Sequence, residues 1–324
     1  MSEEKAKLSA KNIGGRFLNP DANIKPKNLL AIFKWAFTSQ SKAWPEKVNA
    51  FKDSPPANVG DRDVRISSVG HATFLIQLAN LNILTDPVWS KRASPVSFAG
   101  PKRVTQPGVD LEKLPHIDLI LVSHNHYDHL DIDTLKSLWH VHHPCIVVPL
   151  GNAKVIKQAI PKAKIIELNW YESFSFKSAQ VHLVPSQHWS SRTVIDRNKA
   201  LWGGFIIDAP QGQVCFVGDS GYSQEMFQTI AQHFSNILFA ILPIGSYEPR
   251  WFMGDVHMNP QDAINAYKDL NAKFFIPSHF GVFKLTDESY HQQLLDYENA
   301  IKSSDVKEEN MLILHPGEFV LRKF

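Results

Sequence analysis

Residues 123–130 read Ser-His-Asn-His-Tyr-Asp-His-Leu, and this stretch places three imidazoles and a carboxylate within six positions. It follows the apolar run 117–122, a pattern that is typical of a strand buried on both faces. Residues 131–139 have helical apolar spacing and begin with Asp131, which predicts a helix that this side chain caps. The histidines are therefore expected in a loop at the carboxyl end of a strand, where a rigid scaffold commonly holds functional residues.

The spacing of these side chains favours a metal site. His124 and His126 are two residues apart, so in an extended segment they point to the same side. Asp128 and His129 follow where the chain turns, and they can face a second ion. Neutral imidazole and carboxylate are usual zinc ligands. The stretch predicts a two-metal site that takes further ligands from elsewhere, and a solvated histidine-rich loop is the weaker alternative.

The composition is that of a folded protein with no strong bulk charge. The chain has 324 residues, of which 44% are hydrophobic and 20% charged, and this allows one large domain or two smaller ones. A net charge of +2 gives no field that would favour nucleic acid as a partner. Cys145 and Cys215 lie in apolar, strand-like runs and are expected to be buried free thiols.

The first residues are polar and lack the apolar segment of a signal peptide. The longest apolar run, 237–242, is too short to cross a bilayer. From these features we expect a cytoplasmic protein, with peripheral contact at the inner face of a membrane left open.

Residues 1–60 are predicted to form an N-terminal arm with an amphipathic helix, and residues 61–324 a catalytic domain. The helix is expected over 27–37, with lysines at 25, 27, 34 and 42 around it and with Leu30 and Trp35 off its apolar face. This pattern indicates either a helix in a membrane interface or, as the favoured alternative, an arm packed on the domain's own core. Its expected apolar face consists of Leu29, Ile32, Phe33, Ala36 and Phe37.

A strand followed by His-x-His-x-Asp-His at 124–129 resembles the signature of the metallo-β-lactamase fold family of dinuclear hydrolases. The resemblance implies three later ligands in the order His, Asp, His, and His188, Asp219 and His279 each follow an apolar strand in that order. It further implies one metal held by three histidines, a second held by two histidines and a carboxylate, and a shared aspartate. The implied sets are His124, His126 and His188; Asp128, His129 and His279; and Asp219 between them.

The alternation of strands, hairpins and helices fits two mixed sheets packed face to face with helices outside. The fold class expected from the pattern is therefore mixed α/β. The family resemblance implies the four-layer αββα sandwich of the metallo-β-lactamase fold.

Further motifs narrow the resemblance to the phospholipase D family that hydrolyses N-acylphosphatidylethanolamine. They include Gly-His-Ala-Thr at 70–73, Thr-Asp-Pro at 85–87, Pro-Ser-Gln-His-Trp at 185–189 and Tyr-Glu-Pro-Arg-Trp-Phe-Met at 247–253. The implied activity is a dinuclear zinc phosphodiesterase that releases phosphatidic acid and N-acylethanolamine through attack by a metal-bound hydroxide. The alternative is a hydrolase of the same fold that acts on another phosphodiester or a lactone.

The catalytic candidates are Asp128, His257 and Tyr247. His257 and Tyr247 are expected to protonate or orient the leaving group, although His257 has the alternative role of a helix cap. Arg250 and Lys102 are candidates for pairing with phosphate.

Two residues near the start of the catalytic domain have roles that the sequence leaves open. Asp86 is a candidate to orient a ligating imidazole, and as part of an Asp-Pro turn it would also be unremarkable. His71 either lines the site or makes a structural hydrogen bond.

The expected cofactor is a pair of Zn²⁺ ions, and iron or manganese could occupy the same ligands. The expected partner is a phospholipid or another phosphodiester, with no nucleic acid. The family suggests a homodimer.

Overall fold

The computed structural model describes residues 8–24, 27 and 29–324, without the side chains of Leu29, Ile32 and Ala36. Lys25 and the first seven residues, which the sequence analysis assigned to the arm, lie outside the described residues.

The strands, in chain order, are β1 Asn12–Ile13, β2 Arg16–Phe17, β3 Asp63–Gly70, β4 Thr73–Leu78, β5 Leu81–Thr85, β6 Leu119–Leu121, β7 Cys145–Pro149, β8 Ile165–Leu168, β9 Ser173–Phe176, β10 Ala179–Val184, β11 Gly204–Ala209, β12 Gly212–Phe216, β13 Ile237–Pro243, β14 Phe274–Ser278 and β15 Phe319–Lys323. The α-helices are α1 Leu29–Thr38, α2 Ile132–His142, α3 Ala153–Ala159, α4 Gln224–His233, α5 Arg250–Met253, α6 Pro260–Asp269 and α7 Gln292–Lys302.

Two mixed sheets form the centre of the protein. The first has seven strands in the order β15-β3-β4-β5-β6-β7-β8, and the second has six in the order β14-β13-β12-β11-β10-β9. In the first sheet β3, β4 and β5 pair antiparallel, whereas β5 through β8 pair parallel. In the second, β9 through β12 pair antiparallel and β12, β13 and β14 pair parallel.

Strand β6 shows why this layering follows from its sequence. Leu119 and Leu121 join the hydrophobic cluster between the two sheets, while Ile120 and Val122 join the cluster under α2 and α3. Successive residues of a strand point to opposite faces, so an uninterrupted apolar run supplies two cores at once. The second sheet is covered in the same way by α4, α6 and α7. The predicted αββα sandwich is therefore confirmed.

The helix after the histidine motif begins as the sequence predicts. The Asp131 carboxylate accepts hydrogen bonds from the backbone N–H groups of Asp133 and Thr134 at 3.2 and 3.3 Å, which satisfies two of the free donors at the start of α2. The described residues contain no helix of the length and hydropathy that crossing a membrane requires.

The segment before β3 is tied to the catalytic domain by polar contacts. Trp44 donates through Nε1 to the carbonyl of Glu288 at 2.9 Å. Both oxygens of Asp53 accept from Nη2 of Arg65, at 2.7 and 2.8 Å, and both side chains are buried. A boundary between residues 60 and 61 remains a prediction, and these bonds cross it.

Replacing Asp53 by Ala is expected to lower the free energy of unfolding by about 3–5 kcal/mol, because it leaves the buried Arg65 guanidinium unpaired. The matched control is Lys52→Ala, which removes an exposed pair with Asp110 and should cost less than about 1 kcal/mol. Urea denaturation of both variants measures the difference. Equal losses would contradict a structural role for the buried pair.

Candidate metal centre

The predicted ligands meet at one end of the sandwich because they follow the carboxyl ends of strands from both sheets. The 123–130 loop follows β6 of the first sheet. His188 follows β10, Asp219 follows β12 and His279 follows β14 of the second sheet. These strands bring residues 155 positions apart in the chain into one buried cluster.

Three histidine nitrogens form the first group. Nδ1 of His126 lies 2.9 Å from Nε2 of His124 and 3.2 Å from Nε2 of His188. Nδ1 of His188 lies 3.0 Å from the Val256 carbonyl, which can only accept, so Nδ1 carries the proton and Nε2 presents a lone pair. Lone pairs that face each other at this distance require a cation or a proton between them.

The second group consists of two histidines and a carboxylate. Oδ2 of Asp128 lies 3.5 Å from Nε2 of His129 and 3.4 Å from Nε2 of His279. The Asp219 carboxylate lies between the two groups: Oδ2 is 3.2 Å from Nε2 of His129 and 3.6 Å from Nε2 of His188. Its Oδ1 is 3.2 Å from Nε2 of His279.

Three atoms around the second group fit a metal because they are buried and lack a hydrogen-bond partner. Nε2 of His129, Nε2 of His279 and Oδ1 of Asp219 have no hydrogen-bond partner in the described structure. Burying such atoms unsatisfied is costly, and coordination to a cation would remove that cost. Imidazole and carboxylate donors together suit zinc and, less specifically, iron or manganese.

Asp86, at the end of β5, holds the ligands of both groups in position. Its Oδ2 accepts from Nδ1 of His129 at 2.6 Å and from the Ser123 hydroxyl at 2.6 Å. That hydroxyl oxygen is 2.9 Å from Nδ1 of His124. Both imidazoles are thereby fixed in the tautomer that turns Nε2 towards the cluster, which is the usual arrangement around metal-bound histidine.

The backbone around the cluster is held in uncommon conformations. His71, Asp86 and His279 have φ values of 61°, 33° and 60°, in the left-handed region that non-glycine residues seldom adopt. Gly218 also has a positive φ, and a Cβ there would lie 2.5 Å from Cβ of Ser123. Only glycine permits this close approach beside Asp219, and such strain commonly concentrates at functional sites.

The charges of these groups depend on one another. Burial lowers the pKa of His124 well below its usual range. Burial also opposes a charge on His279, but the carboxylates of Asp219 and Asp128 outweigh it and raise its pKa to about 9. Burial opposes ionisation of Asp219, yet His129 and His279 hold its pKa well below the usual range. A metal ion must displace protons from such histidines, so metal affinity should fall as the pH falls.

The cluster opens into a largely apolar cavity of about 310 Å³. Phe252 and Met253 line it, and so does Trp35 of α1, whose ring stacks on Phe252 at 5.1 Å between centroids. His257 lines it as well, and its Nδ1 is buried without a hydrogen-bond partner.

The structure does not bring Tyr247 to this cavity. Its hydroxyl donates to Asp296 on α7 at 2.6 Å, and the ring is buried among other residues. A proton donor for the leaving group must reach the substrate, so the expectation for Tyr247 was wrong in placement.

Arg250 and Lys102 are also placed differently from the prediction. The Arg250 guanidinium pairs with Asp262 at 2.6 Å and donates to the His257 carbonyl at 2.8 Å, so its charge supports α6 and the loop before it. Lys102 is not among the residues that line the cavity.

Sequence reasoning left His71 undecided and did not single out the residues that border the cavity mouth. Nε2 of His71 lies 3.1 Å from Oδ2 of Asp128, so this buried side chain belongs to the site. Trp189 packs against His126 at 4.2 Å between ring centroids, and Arg197 lies over Trp189 at 4.2 Å. Trp189 could have been found from the sequence, because it directly follows the predicted ligand His188. No local sequence feature indicates that Arg197 lines the cavity.

Comparison with known proteins identifies the family. Residues 81–280 match a family model described as a beta-lactamase superfamily domain. The chain belongs to the metallo-β-lactamase superfamily. Members of this superfamily include metal-dependent hydrolases, and the chain is one of them.

Two superfamily relatives carry phospholipase names. The chain is 37% identical over 262 residues to N-acyl-phosphatidylethanolamine-hydrolyzing phospholipase D 1 of Caenorhabditis elegans, with 77% of this chain and 73% of that protein covered. It is 35% identical over 216 residues to the mitochondrial N-acyl-phosphatidylethanolamine-hydrolyzing phospholipase D of Saccharomyces cerevisiae, with 65% and 46% covered. Among solved structures, the metallo hydrolase Igni18 of Ignicoccus hospitalis superposes with a TM-score of 0.60 at 21% identity, covering 81% of this chain and 99% of that one.

Replacing Asp86 by Asn is expected to lower metal affinity by about 10- to 100-fold. One carboxylate oxygen accepts from His129 and the Ser123 hydroxyl and the other from the Ser123 backbone N–H, so the NH2 group of an amide would have to face a donor. Competition with a chromogenic chelator measures the affinity. Asp133→Asn is the control, since that side chain is exposed near the start of α2. Metal affinity that is equal in the two variants would contradict the positioning role of Asp86.

Proposed function

We propose that this chain is a dinuclear zinc phosphodiesterase of phospholipase D type that hydrolyses N-acylphosphatidylethanolamine-like phospholipids. The observation that carries the proposal is the pair of candidate ligand groups that have Asp219 between them and open into an apolar cavity. The names of the nematode and yeast relatives supply the substrate class. The products would be phosphatidic acid and an N-acylethanolamine.

In this proposal the first zinc is held by His124, His126 and His188. The second is held by Asp128, His129 and His279, and Asp219 is shared between the two. When bound, two zinc ions supply a coordinated water of lowered pKa and stabilise negative charge on phosphoryl oxygens.

The protein's own residues supply position and surroundings. Asp86 and Ser123 fix the ligand imidazoles through the hydrogen bonds described above. His71 contacts Asp128 and restrains its carboxylate. His257 lines the cavity beside His188, with 5.0 Å between the ring centroids, and is the remaining candidate to orient or protonate the leaving alcohol.

The apolar wall of the cavity suits the acyl chains of a phospholipid. Phe252, Met253 and Leu285 line it together with Trp35 from the arm. Packing these side chains against hydrocarbon removes apolar surface from water, which favours a lipid over a small polar ester. The alternative substrates, another phosphodiester or a lactone, are not specifically favoured by the residues of this wall.

We also propose that α1 contacts the membrane that holds the substrate. Leu30, Phe33 and Phe37 lie on one helical face and are 78%, 58% and 86% exposed. Leu30 was expected off the apolar face, but it shares the exposed side with Phe33 and Phe37, whereas Trp35 lies off that side and lines the cavity. The other expected members of the face, Leu29, Ile32 and Ala36, have side chains outside the described structure. One helix therefore offers apolar side chains to a lipid surface and one ring to the site.

The expected homodimer stays a prediction.

Asp219→Asn is expected to reduce turnover of N-acylphosphatidylethanolamine by more than about 100-fold, because loss of a ligand costs more than the 10- to 100-fold of an outer partner. Bound zinc should fall below two ions per chain while the circular dichroism spectrum stays unchanged. Asp208→Asn, on β11, is the control. This variant should keep its turnover and two bound zinc ions per chain. Undiminished turnover by Asp219→Asn would overturn the assignment of this site.

Replacing Leu30, Phe33 and Phe37 together by Ser is expected to weaken binding to phosphatidylethanolamine vesicles by at least about tenfold, because each buried side chain contributes on the order of 1 kcal/mol or more. Turnover of a soluble phosphodiester such as bis(p-nitrophenyl) phosphate should not change. The control carries Val141→Ser and Leu295→Ser, which remove exposed apolar side chains from α2 and α7. Vesicle binding that survives the triple substitution would refute the membrane contact.

A further inference from the structure

Arg197, which is not one of the proposed ligands, borders the metal cavity from the loop that follows His188. Its guanidinium lies over the Trp189 ring at 4.2 Å, and Trp189 in turn packs against His126. Arg197 lines the same cavity as His126 and Asp219. A stacked guanidinium is restrained in position while its N–H groups remain able to donate, so Arg197 can present a fixed positive charge beside the ligand groups.

This charge has no carboxylate partner among the described residues. Two other arginines of the described structure do have such a partner: the buried Arg65 pairs with Asp53, and the partly exposed Arg250 pairs with Asp262. Nε of Arg197 is buried and has no hydrogen-bond partner in the described structure. Burial also lowers the pKa of Arg197, and no neighbouring carboxylate offsets this effect. A buried donor on an unpaired cation is costly, and an anionic ligand would remove that cost.

A second cavity lies on the other side of Arg197. It has a volume of about 130 Å³, lies between the 188–198 loop and the segment 16–24, and shares Trp189, Arg197 and Val256 with the main cavity. Arg16 lines this cavity together with Arg197. The lining therefore contains two guanidinium groups, and it contains no carboxylate. Arg16 donates to the backbone carbonyl of Arg197, which ties the segment to the loop.

We propose that Arg197 and Arg16 form an anion subsite that receives a carboxylate or phosphate carried by the substrate's headgroup. This inference rests on the proposed function for the position of the scissile phosphate at the metals. An anionic group of the headgroup is the fitting occupant because two guanidinium groups line this cavity, and its volume of about 130 Å³ is small for an acyl chain. Guanidinium is the side chain best matched to planar or tetrahedral oxyanions.

The proposal is tested with phosphoserine and phosphoethanolamine, which differ only by one carboxylate. Calorimetric titration of the zinc-loaded full chain should show phosphoserine binding about tenfold more tightly, as expected for one charge-assisted hydrogen bond. Arg197→Gln should reduce this ratio to near one. Lys199→Gln, which removes an exposed charge from the same loop without lining either cavity, should preserve it.

A ratio near one in the unaltered chain, or a ratio that survives Arg197→Gln, would overturn the subsite. Turnover of two matched lipids distinguishes a failure of the subsite from a failure of the proposed function. N-acylphosphatidylserine and N-acylphosphatidylethanolamine should both be hydrolysed, and Arg197→Gln should lower kcat/KM about tenfold for the first and less than about threefold for the second. Hydrolysis of neither lipid alongside an Arg197-dependent binding ratio would refute the function and support the subsite.

Discussion

The carboxylate of Asp219 faces imidazoles from three different strand ends, and the architecture around it depends on keeping these atoms together. His129, His188 and His279 all lie within 3.6 Å of its oxygens, and Nε2 of His129, Nε2 of His279 and Oδ1 of Asp219 have no hydrogen-bond partner in the described structure. Such an arrangement is stable only if positive charge compensates it. Metal coordination would account for the buried ligand atoms, the fixed imidazole tautomers and the uncommon backbone conformations around the cluster.

The sandwich fold supplies the rigidity that this cluster needs. Strands β6, β10, β12 and β14 end at the same edge, and apolar cores on both sides of each sheet prevent the loops from separating. Ligands placed on short connections after buried strands keep their geometry when a substrate binds. The carboxylate of Asp86 extends this restraint, because it joins the end of β5 to His129 and Ser123.

Much of this arrangement could be predicted from the sequence, since it depends on local pattern. The alternation of residues 119–122 between two cores, the cap at Asp131 and the ligand spacing at 124–129 all follow from short-range rules that the structure obeys. Long-range pairing could not be predicted. Arg250 is paired with Asp262, which leaves it unavailable for phosphate, and only the fold shows this.

The arm and the loop after His188 illustrate the same limit. The periodicity of 27–37 predicts a helix, which the structure has at 29–38, but which face meets the protein depends on Phe252, more than two hundred residues away. Arg197 has no local sequence signal because its importance comes from what it lacks, a carboxylate neighbour among the described residues, and from the two cavities that it separates. Both features depend on contacts that the local sequence pattern does not encode.

The most direct test of the dinuclear centre is an anomalous-difference map, recorded at the zinc edge, from crystals of the zinc-loaded chain. The account predicts two peaks, one among His124, His126 and His188 and the other among Asp128, His129 and His279, with Asp219 in contact with both. A single peak, or peaks away from these residues, would contradict it.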